Sequence, residues 1–314
     1  MQPASQTGWI PYRRFLAPRY WSAWMLLGWM KLAVALPYPL QIVAGKCLGR
    51  VARIVAPRTR RVVMRNLRTC FPELAPTQLR RLYRDHFGAV GAAFSEMGLG
   101  WFASTERLLK LIRVEGREHL DKALAQDRGI IVLTAHFTSL ETGTSILREL
   151  VPGVKAVYRP QPNEMIDAMI SQGRRRMVDG QIPKDNIRAM VRTLRNGGAV
   201  AYLADLAGRG NNRAMIPFFG EPAMTTTAVS KLARMTGATV LTYFFRRLPG
   251  RSGYLVNIGP PLEDFPGDSP VADTRRLVER LENYIRQAPE QYMWTYRRFK
   301  GRPDPYPDLY AADR

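Results

Sequence analysis

Residues 129–143 read GIIVLTAHFTSLETG. The first half, 129–135, is a short apolar run rich in β-branched side chains and without a polar face. Such a run predicts a β-strand that is covered on both sides. His136 follows at once, and a helical pattern extends over 139–150. A buried strand that passes through a short turn into a helix is the repeating unit of α/β proteins, so this stretch decides the fold class.

The same alternation continues along the chain. Further apolar runs predict strands at 154–158, 199–204, 238–245 and 253–258. Patterns with helical spacing lie at 72–97, 163–178, 186–196, 225–236 and 271–287. The predicted fold class is therefore α/β, with a central mixed or mostly parallel sheet flanked by helices. Ligands of such sheets bind beyond the carboxyl ends of the strands, which is where His136 lies.

The spacing of His136 and Glu141 has two interpretations. In the first, Thr138 and Glu141 form a capping box at the start of the helix. In the second, the Glu141 carboxylate folds back to one imidazole nitrogen, fixes the tautomer and stabilises the imidazolium, so that the other nitrogen acts as a general base. The His-x-x-x-x-Glu spacing alone does not decide between them.

Positive charge is concentrated at the beginning of the chain. The formal net charge is +21, and twelve lysines and arginines precede the first acidic residue, Glu73, which leaves +9 for the rest. A block of one sign predicts a polyanionic partner, whether nucleic acid, anionic lipid or an acidic protein. No zinc finger, RNA-binding aromatic motif or basic heptad region accompanies it, so we expect anionic lipids and no nucleic acid. A non-enzymatic basic membrane- or nucleic-acid-binding protein is the alternative, and it would not need His136 together with Glu141.

An apolar segment is embedded in this basic block. Residues 20–36 are apolar apart from Lys31, and Pro37 and Pro39 end the run. Its length is at the short edge of a membrane span, and aromatic residues crowd it as they do at a membrane interface. It is compatible with an anchor that spans or lies in the interface, with a signal peptide, or with a buried helix. We expect an N-terminal membrane-anchor helix within a basic anchoring segment, 1–72, followed by a single α/β domain, 73–314.

Cysteine and histidine are scarce. Two cysteines, Cys47 and Cys70, do not form a disulfide framework in a chain of 314 residues, so reduced thiols are expected. Three histidines without a close Cys/His group argue against a zinc site. We therefore expect neither a metal nor another cofactor.

Five blocks of sequence carry a resemblance to a known family. They are NLRTCFPELAPTQLRRL (66–82), GIIVLTAHFTSLETG (129–143), VYRPQPN (157–163), IPFFGEPAMTTTAVSKLARMTGA (216–238) and APEQYMWTYRRFKGRP (288–303). With these blocks in order, almost the full chain resembles the bacterial late acyltransferases of lipid A biosynthesis, the lauroyl/myristoyl transferase family.

The resemblance implies an acyltransferase at the cytoplasmic face of the bacterial inner membrane. Its donor would be acyl carrier protein and its acceptor a hydroxyl on an acyl chain of a lipid A precursor, with anionic inner-membrane lipids around it. It implies that His136 is the base and Glu141 its partner. Arg159 would lie near the site and bind substrate. Asp205 aligns with an aspartate loop in which Leu206 replaces the polar residue of many members, and it is a candidate for substrate binding. A turn residue ahead of Gly208 and Gly210 is the alternative role of Asp205. Arg174, in RRRM at 174–177, is a further candidate for binding anionic substrate groups.

The chemistry of the residues agrees with this resemblance. An alkyl hydroxyl is a weak nucleophile at neutral pH, and a base such as His136 typically accelerates its attack by about 10²–10⁴-fold. Arg159 could stabilise the tetrahedral intermediate or clamp a phosphorylated sugar. No Gly-x-Ser-x-Gly motif is present, which favours direct transfer. The alternative enzyme is another glycolipid or lysophospholipid acyltransferase. Its glycerol-phosphate branch usually has aspartate where Glu141 stands and Phe-Pro-Glu-Gly in place of FFGEP at 218–222.

Overall fold

A mixed β-sheet forms the centre of the molecule. The computed structural model describes residues 12–207, 212–250 and 252–311. In chain order, the strands of these residues are β1 (Ile112–Glu115), β2 (Ile130–Thr134), β3 (Lys155–Tyr158), β4 (Gly180–Pro183), β5 (Ala199–Leu203), β6 (Arg213–Phe218), β7 (Glu221–Thr226), β8 (Thr239–Arg247) and β9 (Tyr254–Ile258). Seven of them make one sheet in the order β1-β9-β8-β2-β5-β3-β4, and β6 and β7 pair as a separate hairpin. All neighbours in the sheet are parallel except β8 and β9, which confirms the predicted mostly parallel α/β sheet.

Helices surround this sheet. In chain order they are α1 (Trp21–Ala35), α2 (Tyr38–Val55), α3 (Pro57–Cys70), α4 (Pro76–Phe102), α5 (Thr105–Leu109), α6 (Arg117–Leu124), α7 (Leu140–Gly143), α8 (Leu147–Leu150), α9 (Glu164–Arg174), α10 (Ile187–Arg195), α11 (Ala228–Thr236) and α12 (Pro270–Ile285). The predicted helices at 72–97, 163–178, 186–196 and 271–287 correspond to α4, α9, α10 and α12. The helix predicted at 139–150 is divided into α7 and α8.

Strand β2 separates two hydrophobic clusters. Ile130 and Val132 belong to the cluster that also contains side chains of α1 to α4 and α9. Ile131 and Leu133 belong to the second cluster, with side chains of α10 and α11. Successive side chains of a strand point to opposite faces, so the absence of a polar face in this run follows from coverage on both sides.

The sequence patterns did not predict the edge strands or the hairpin. β1 and β4 have four residues each, and their sequences, IRVE and GQIP, lack an apolar run. In the hairpin, Pro217 of β6 is opposite Pro222 of β7, and proline weakens any strand prediction. Residues 225 and 226, predicted to open a helix, end β7 instead, so α11 begins only at Ala228.

The expected N-terminal membrane anchor is not supported by the structure. The helix expected near 20–36 is present as α1, but it has only 15 residues because Pro37 follows it closely. In the ranges that the structure describes, no helix is both long and apolar enough to cross a membrane. One side of α1 is buried through Ala23, Leu27 and Met30, and the helix packs on α4. Part of its apolar character is therefore explained by contact with the protein.

Glycines allow α2 to pack unusually close to α4. Gly45 and Gly49 of α2 face Gly91 of α4, and a Cβ atom at Gly91 would lie 2.2 Å from the Gly45 carbonyl oxygen. Any larger residue there would force the two helices apart. The expected domain boundary at residue 72 falls in the loop between α3 and α4, and helices on both sides of it contribute to one hydrophobic cluster.

We expect the free energy of unfolding to decrease as the pH is lowered, because of His86 on α4. Burial lowers the pKa of this histidine to about 4, although Nδ1 lies 2.9 Å from the Glu290 carbonyl oxygen. Between pH 6.5 and 4 the unfolded chain therefore binds a proton that the folded chain excludes, so stability is lost as pH falls through this window. A depression of this size corresponds to about 3 kcal/mol once both states are titrated.

Denaturant unfolding of the wild type and of His86→Asn at pH 8 and pH 5 measures this effect. The difference at pH 8 reports the packing cost of the substitution. The variant should lose less stability than the wild type between the two pH values, and equal losses would contradict the expectation.

Candidate active site

The register of β2 and β5 brings His136 and Asp205 together. The two strands are parallel, and Thr134 is paired with Leu203 at their carboxyl ends. His136 and Asp205 each lie two residues further on, so they meet at the same edge of the sheet. Nδ1 of His136 is 2.8 Å from Oδ1 of Asp205. Both residues were predicted from the sequence as site residues, but Asp205 was expected to bind substrate and not to contact the histidine.

Asp205 is completely enclosed and well supplied with donors. Its side chain has no exposed surface. The backbone N–H of His136 donates to Oδ2 over 3.1 Å, and the Tyr292 hydroxyl donates to the same oxygen over 2.9 Å. Burial alone would raise the pKa of Asp205, but the charge and hydrogen bonds of His136, together with Tyr292, outweigh it and hold the pKa below its usual value. An ionised carboxylate accepts hydrogen bonds and does not donate, so Nδ1 of His136 carries a proton that points to Asp205.

The other imidazole nitrogen is open. His136 keeps 23% of its side chain exposed, and among the described residues Nε2 has no hydrogen-bond partner. The edge of the Tyr296 ring packs on the imidazole with ring centroids 4.9 Å apart. A histidine that is fixed at Nδ1 by a carboxylate and open at Nε2 is arranged as a general base.

A C-terminal segment fixes the backbone around His136. Met293 N–H donates to the His136 carbonyl, and Thr138 N–H donates to the Gln291 carbonyl. Between them, Phe137 and Tyr292 form an antiparallel bridge. This segment lies in the resemblance block at 288–303, in which no pattern singled out Tyr292. Burial, followed by the charge of Asp205, raises the pKa of Tyr292 well above its usual value, so its hydroxyl remains a donor.

Glu141 does not make the contact expected from the sequence. Its carboxylate accepts a hydrogen bond from Trp101 Nε1 over 2.9 Å and binds Arg174, with Nη2 2.5 Å from Oε1. The described residues contain no hydrogen bond between Glu141 and His136. The capping box of Thr138 and Glu141 is also absent, because the Glu141 carboxylate is turned towards α4 and α9. The N-cap residue of α7 is Ser139, and its side chain makes no capping hydrogen bond.

The two candidate arginines have different surroundings. Burial disfavours the charge of Arg174, but the Glu141 carboxylate offsets this and keeps the pKa of the guanidinium raised. Arg174 therefore remains a cation in a largely enclosed position. Arg159 is exposed and directly follows β3, which pairs with β5, so it lies at the same edge of the sheet as Asp205. In the described ranges its side chain has no hydrogen bond or ion pair with His136 or Asp205.

No group of three or more histidine, cysteine, aspartate or glutamate side chains suited to a metal ion occurs in the described part of the chain. The loop after Asp205 is described as far as residue 207, and the turn expected around Gly208 and Gly210 lies outside the described residues.

Fold and site together define an α/β protein with a carboxylate-supported histidine at the carboxyl edge of its sheet. The family model for the bacterial lipid A biosynthesis acyltransferase matches residues 12–301. The chain therefore belongs to this family and is an acyltransferase.

Characterised relatives align over nearly their whole length. A lipid A biosynthesis lauroyltransferase of Escherichia coli strain K12 is 36% identical over 296 residues, which cover 94% of this chain and 96% of the relative. A lipid A biosynthesis palmitoleoyltransferase of the same strain is 36% identical over 299 residues, 95% of this chain and 97% of the relative. A lipid A biosynthesis myristoyltransferase of that strain is 24% identical over 293 residues, which cover 92% of this chain and 90% of the relative.

Proposed function

We propose that this acyltransferase moves a fatty acyl chain from acyl carrier protein to a hydroxyl of a lipid A precursor, the secondary acylation of lipopolysaccharide synthesis. The observation that carries the proposal is the pair of His136 and Asp205 at the carboxyl edge of the sheet, with Nε2 open. Membership of the family supports the lipid A acceptor. Relatives named for lauroyl and palmitoleoyl transfer are equally similar, so the proposal concerns the reaction and not one chain length.

In the proposed reaction, His136 accepts and returns one proton. The acceptor hydroxyl oxygen attacks the thioester carbonyl carbon while Nε2 takes its proton. Asp205 stabilises the resulting imidazolium through Nδ1–H. The tetrahedral intermediate then collapses, the carbon–sulfur bond breaks, and the departing thiolate takes the proton from Nε2. The products are an ester and the free carrier thiol, and no acyl-enzyme is formed.

The two arginines have complementary parts in this proposal. Glu141, which accepts a hydrogen bond from Trp101, holds Arg174 in a largely enclosed position. A cation in such a position stabilises a developing oxyanion more strongly than in water. Glu141 thus acts on the site by positioning Arg174, not by contacting the base. Arg159, exposed at the same edge, is suited to a phosphate of the acceptor.

Two helices present exposed apolar faces that support binding at a membrane interface. On α1, Trp21, Met25 and Leu32 are exposed on one side. On α2, a stripe at helical spacing is exposed opposite the face that packs on α4, and it consists of Leu40, Val43, Val51 and Ile54. Arginines flank both helices and would contact anionic headgroups. We propose that the enzyme lies on the cytoplasmic face of the inner membrane through these faces.

Replacing Met25, Leu32 and Ile54 together with glutamine should weaken binding to vesicles that contain anionic phospholipid by about 100-fold, since each side chain buried in the interface contributes about 1 kcal/mol. Deleting the N-terminal helices is a poorer test because it would uncover α4. The matched control replaces exposed apolar residues of α10, α11 and α12 with glutamine, namely Ile187, Met235 and Val271. Co-sedimentation measures the vesicle binding of both variants. Equal binding of the two variants would show that the α1 and α2 faces do not hold the enzyme on the membrane.

Purified full-length enzyme tests the reaction itself. Dodecanoyl-acyl carrier protein and a lipid A precursor should give a product heavier by one acyl group in mass spectrometry. Dodecanoyl-coenzyme A should be a much poorer donor. Absence of acylated product with several chain lengths would refute the proposed reaction. Equal use of coenzyme A thioesters and of lysophospholipid acceptors would favour a general lysolipid acyltransferase.

A further inference from the structure

A basic groove lies on the side of α3 that faces away from the sheet. Its volume is about 1020 Å³, and side chains of α2, α3 and α4 form its walls. Seven arginines line it, and none of its lining residues in the described part of the chain is acidic. The arginines are Arg53, Arg60, Arg61, Arg65, Arg68, Arg80 and Arg84. The rest of the lining is formed by Pro57, Met64, Thr69, Thr77, Tyr83 and Leu309.

The arginines of this groove are not part of the hydrophobic core. The buried side of α3 is formed by Val62, Val63 and Leu67, so the arginines lie on the sides that the core does not need. Arg60, Arg68, Arg80 and Arg84 are exposed, and none of them has an ion pair with another described residue. Like charges four residues apart, as at Arg80 and Arg84, destabilise a helix. An arrangement that costs stability in the isolated chain is expected where an anionic partner binds.

The shape of the groove favours an acidic protein over a membrane surface. A flat bilayer meets only the rim of a groove, whereas an α-helix, a convex rod about 10–12 Å in diameter, can contact arginines of both α3 and α4. Guanidinium groups bind carboxylates in a bidentate manner, so acidic side chains along such a helix match the two walls.

The opposite side of α3 leads directly to the candidate active site. The side-chain amide of Asn66 donates to the carbonyl oxygens of Trp294 and Tyr296 over 2.7 and 2.8 Å. The Tyr296 ring in turn packs on His136. A partner in the groove is therefore separated from the segment that contacts the base by about the thickness of α3.

We propose that acyl carrier protein, the acidic donor of the proposed function, docks by an acidic helix in this groove between α3 and α4. This inference rests on the proposed function for the identity of the partner. Arg174 has no part in this docking site, because it is bound to Glu141.

Charge reversal of exposed groove residues tests the docking site. Arg60→Glu, Arg68→Glu and Arg84→Glu together should lower kcat/KM for dodecanoyl-acyl carrier protein by about 10–10³-fold, because electrostatic steering is replaced by repulsion. The kcat at saturation should change little. Transfer from the small thioester dodecanoyl-N-acetylcysteamine should be unchanged, since this donor needs no protein docking.

A matched variant controls for net charge. Arg128, Arg188 and Arg192 are exposed outside the groove, and replacing all three with glutamate should leave kcat/KM for the carrier protein within a few-fold of the wild type. Thermal unfolding checks that each variant is folded. If the glutamate triple variant of the groove does not fold, Arg60→Gln, Arg68→Gln and Arg84→Gln should give the same pattern with a smaller loss.

Direct binding of dodecanoyl-acyl carrier protein, followed by fluorescence anisotropy, separates this inference from the proposed reaction. Wild-type binding that weakens with salt and is lost in the groove variant supports docking, even if no acyl transfer were found. Unchanged carrier binding in the groove variant overturns the inference. A variant that loses binding to anionic vesicles while keeping carrier binding would assign the groove to phospholipid and overturn it equally.

Discussion

His136→Gln should lower kcat for acyl transfer by at least about 10²–10⁴-fold, the usual contribution of a positioned general base. Glutamine cannot accept the hydroxyl proton and return it to the leaving thiolate. The fold should be preserved because the side chain is partly exposed and Asp205 keeps its bonds to Tyr292 and to the backbone N–H of residue 136. Single-turnover transfer from acyl carrier protein measures the chemical step, and circular dichroism checks the fold.

His119→Gln is the matched control for this substitution. His119 lies on α6 and has 30% of its side chain exposed, comparable to His136, but it is not part of the candidate site. The control should transfer acyl groups at the wild-type rate. Near-normal turnover by a folded His136→Gln enzyme would exclude the proposed mechanism, whatever the effect on substrate binding.

The position of His136 could be predicted from the sequence because it depends on local features. An apolar run without a polar face identifies β2, and the residue just beyond a buried parallel strand lies at the ligand edge of the sheet. Asp205 was recognised as a site residue but not as the partner of His136. The contact depends on the pairing of Thr134 with Leu203, and that register joins strands nearly seventy residues apart.

Glu141 shows how a local motif can be misleading. Its distance along the chain from His136 suggested a carboxylate–imidazole pair, and its distance from Thr138 suggested a cap. The side chain instead binds Trp101 and Arg174, which are 40 and 33 residues away. Trp101 belongs to α4, which packs on α7, and Arg174 ends α9, which packs on α4. The contact therefore depends on tertiary structure that the sequence pattern does not contain.

The N-terminal segment shows that apolar composition alone also does not predict the surroundings of a helix. A membrane helix and a helix packed on protein have similar apolar compositions, and only the neighbours distinguish them. Close approach to α4 requires Gly98, since a Cβ atom there would lie 2.5 Å from the Met30 carbonyl oxygen. A glycine in the middle of an apolar helix does not reveal which helix it faces. The exposed faces of α1 and α2 still leave a surface for the interfacial binding proposed above.

Asp205→Asn should lower kcat by about 10²–10⁴-fold, while Glu141→Gln should have a smaller effect on kcat and act mainly on stability. An asparagine amide can donate to Nδ1, which favours the tautomer with the proton on Nε2 and removes the base. Glu141→Gln leaves Nδ1 bound to Asp205 but removes the charge that opposes Arg174. We expect this loss to reduce the free energy of unfolding by about 1–3 kcal/mol, because the guanidinium is largely enclosed.

These two substitutions decide which carboxylate supports the base. Each replaces a nearly buried carboxylate by the amide of the same size, so they are matched in volume and in charge. Single-turnover rates across the pH range separate them, since Asp205→Asn should alter the pH dependence of kcat/KM and Glu141→Gln should preserve it. If Glu141→Gln instead lost the greater part of kcat with its pH profile displaced, while Asp205→Asn stayed close to the wild type, then Glu141 would be the partner of His136 during turnover. The contact of Asp205 with Nδ1 would in that case belong only to the resting enzyme.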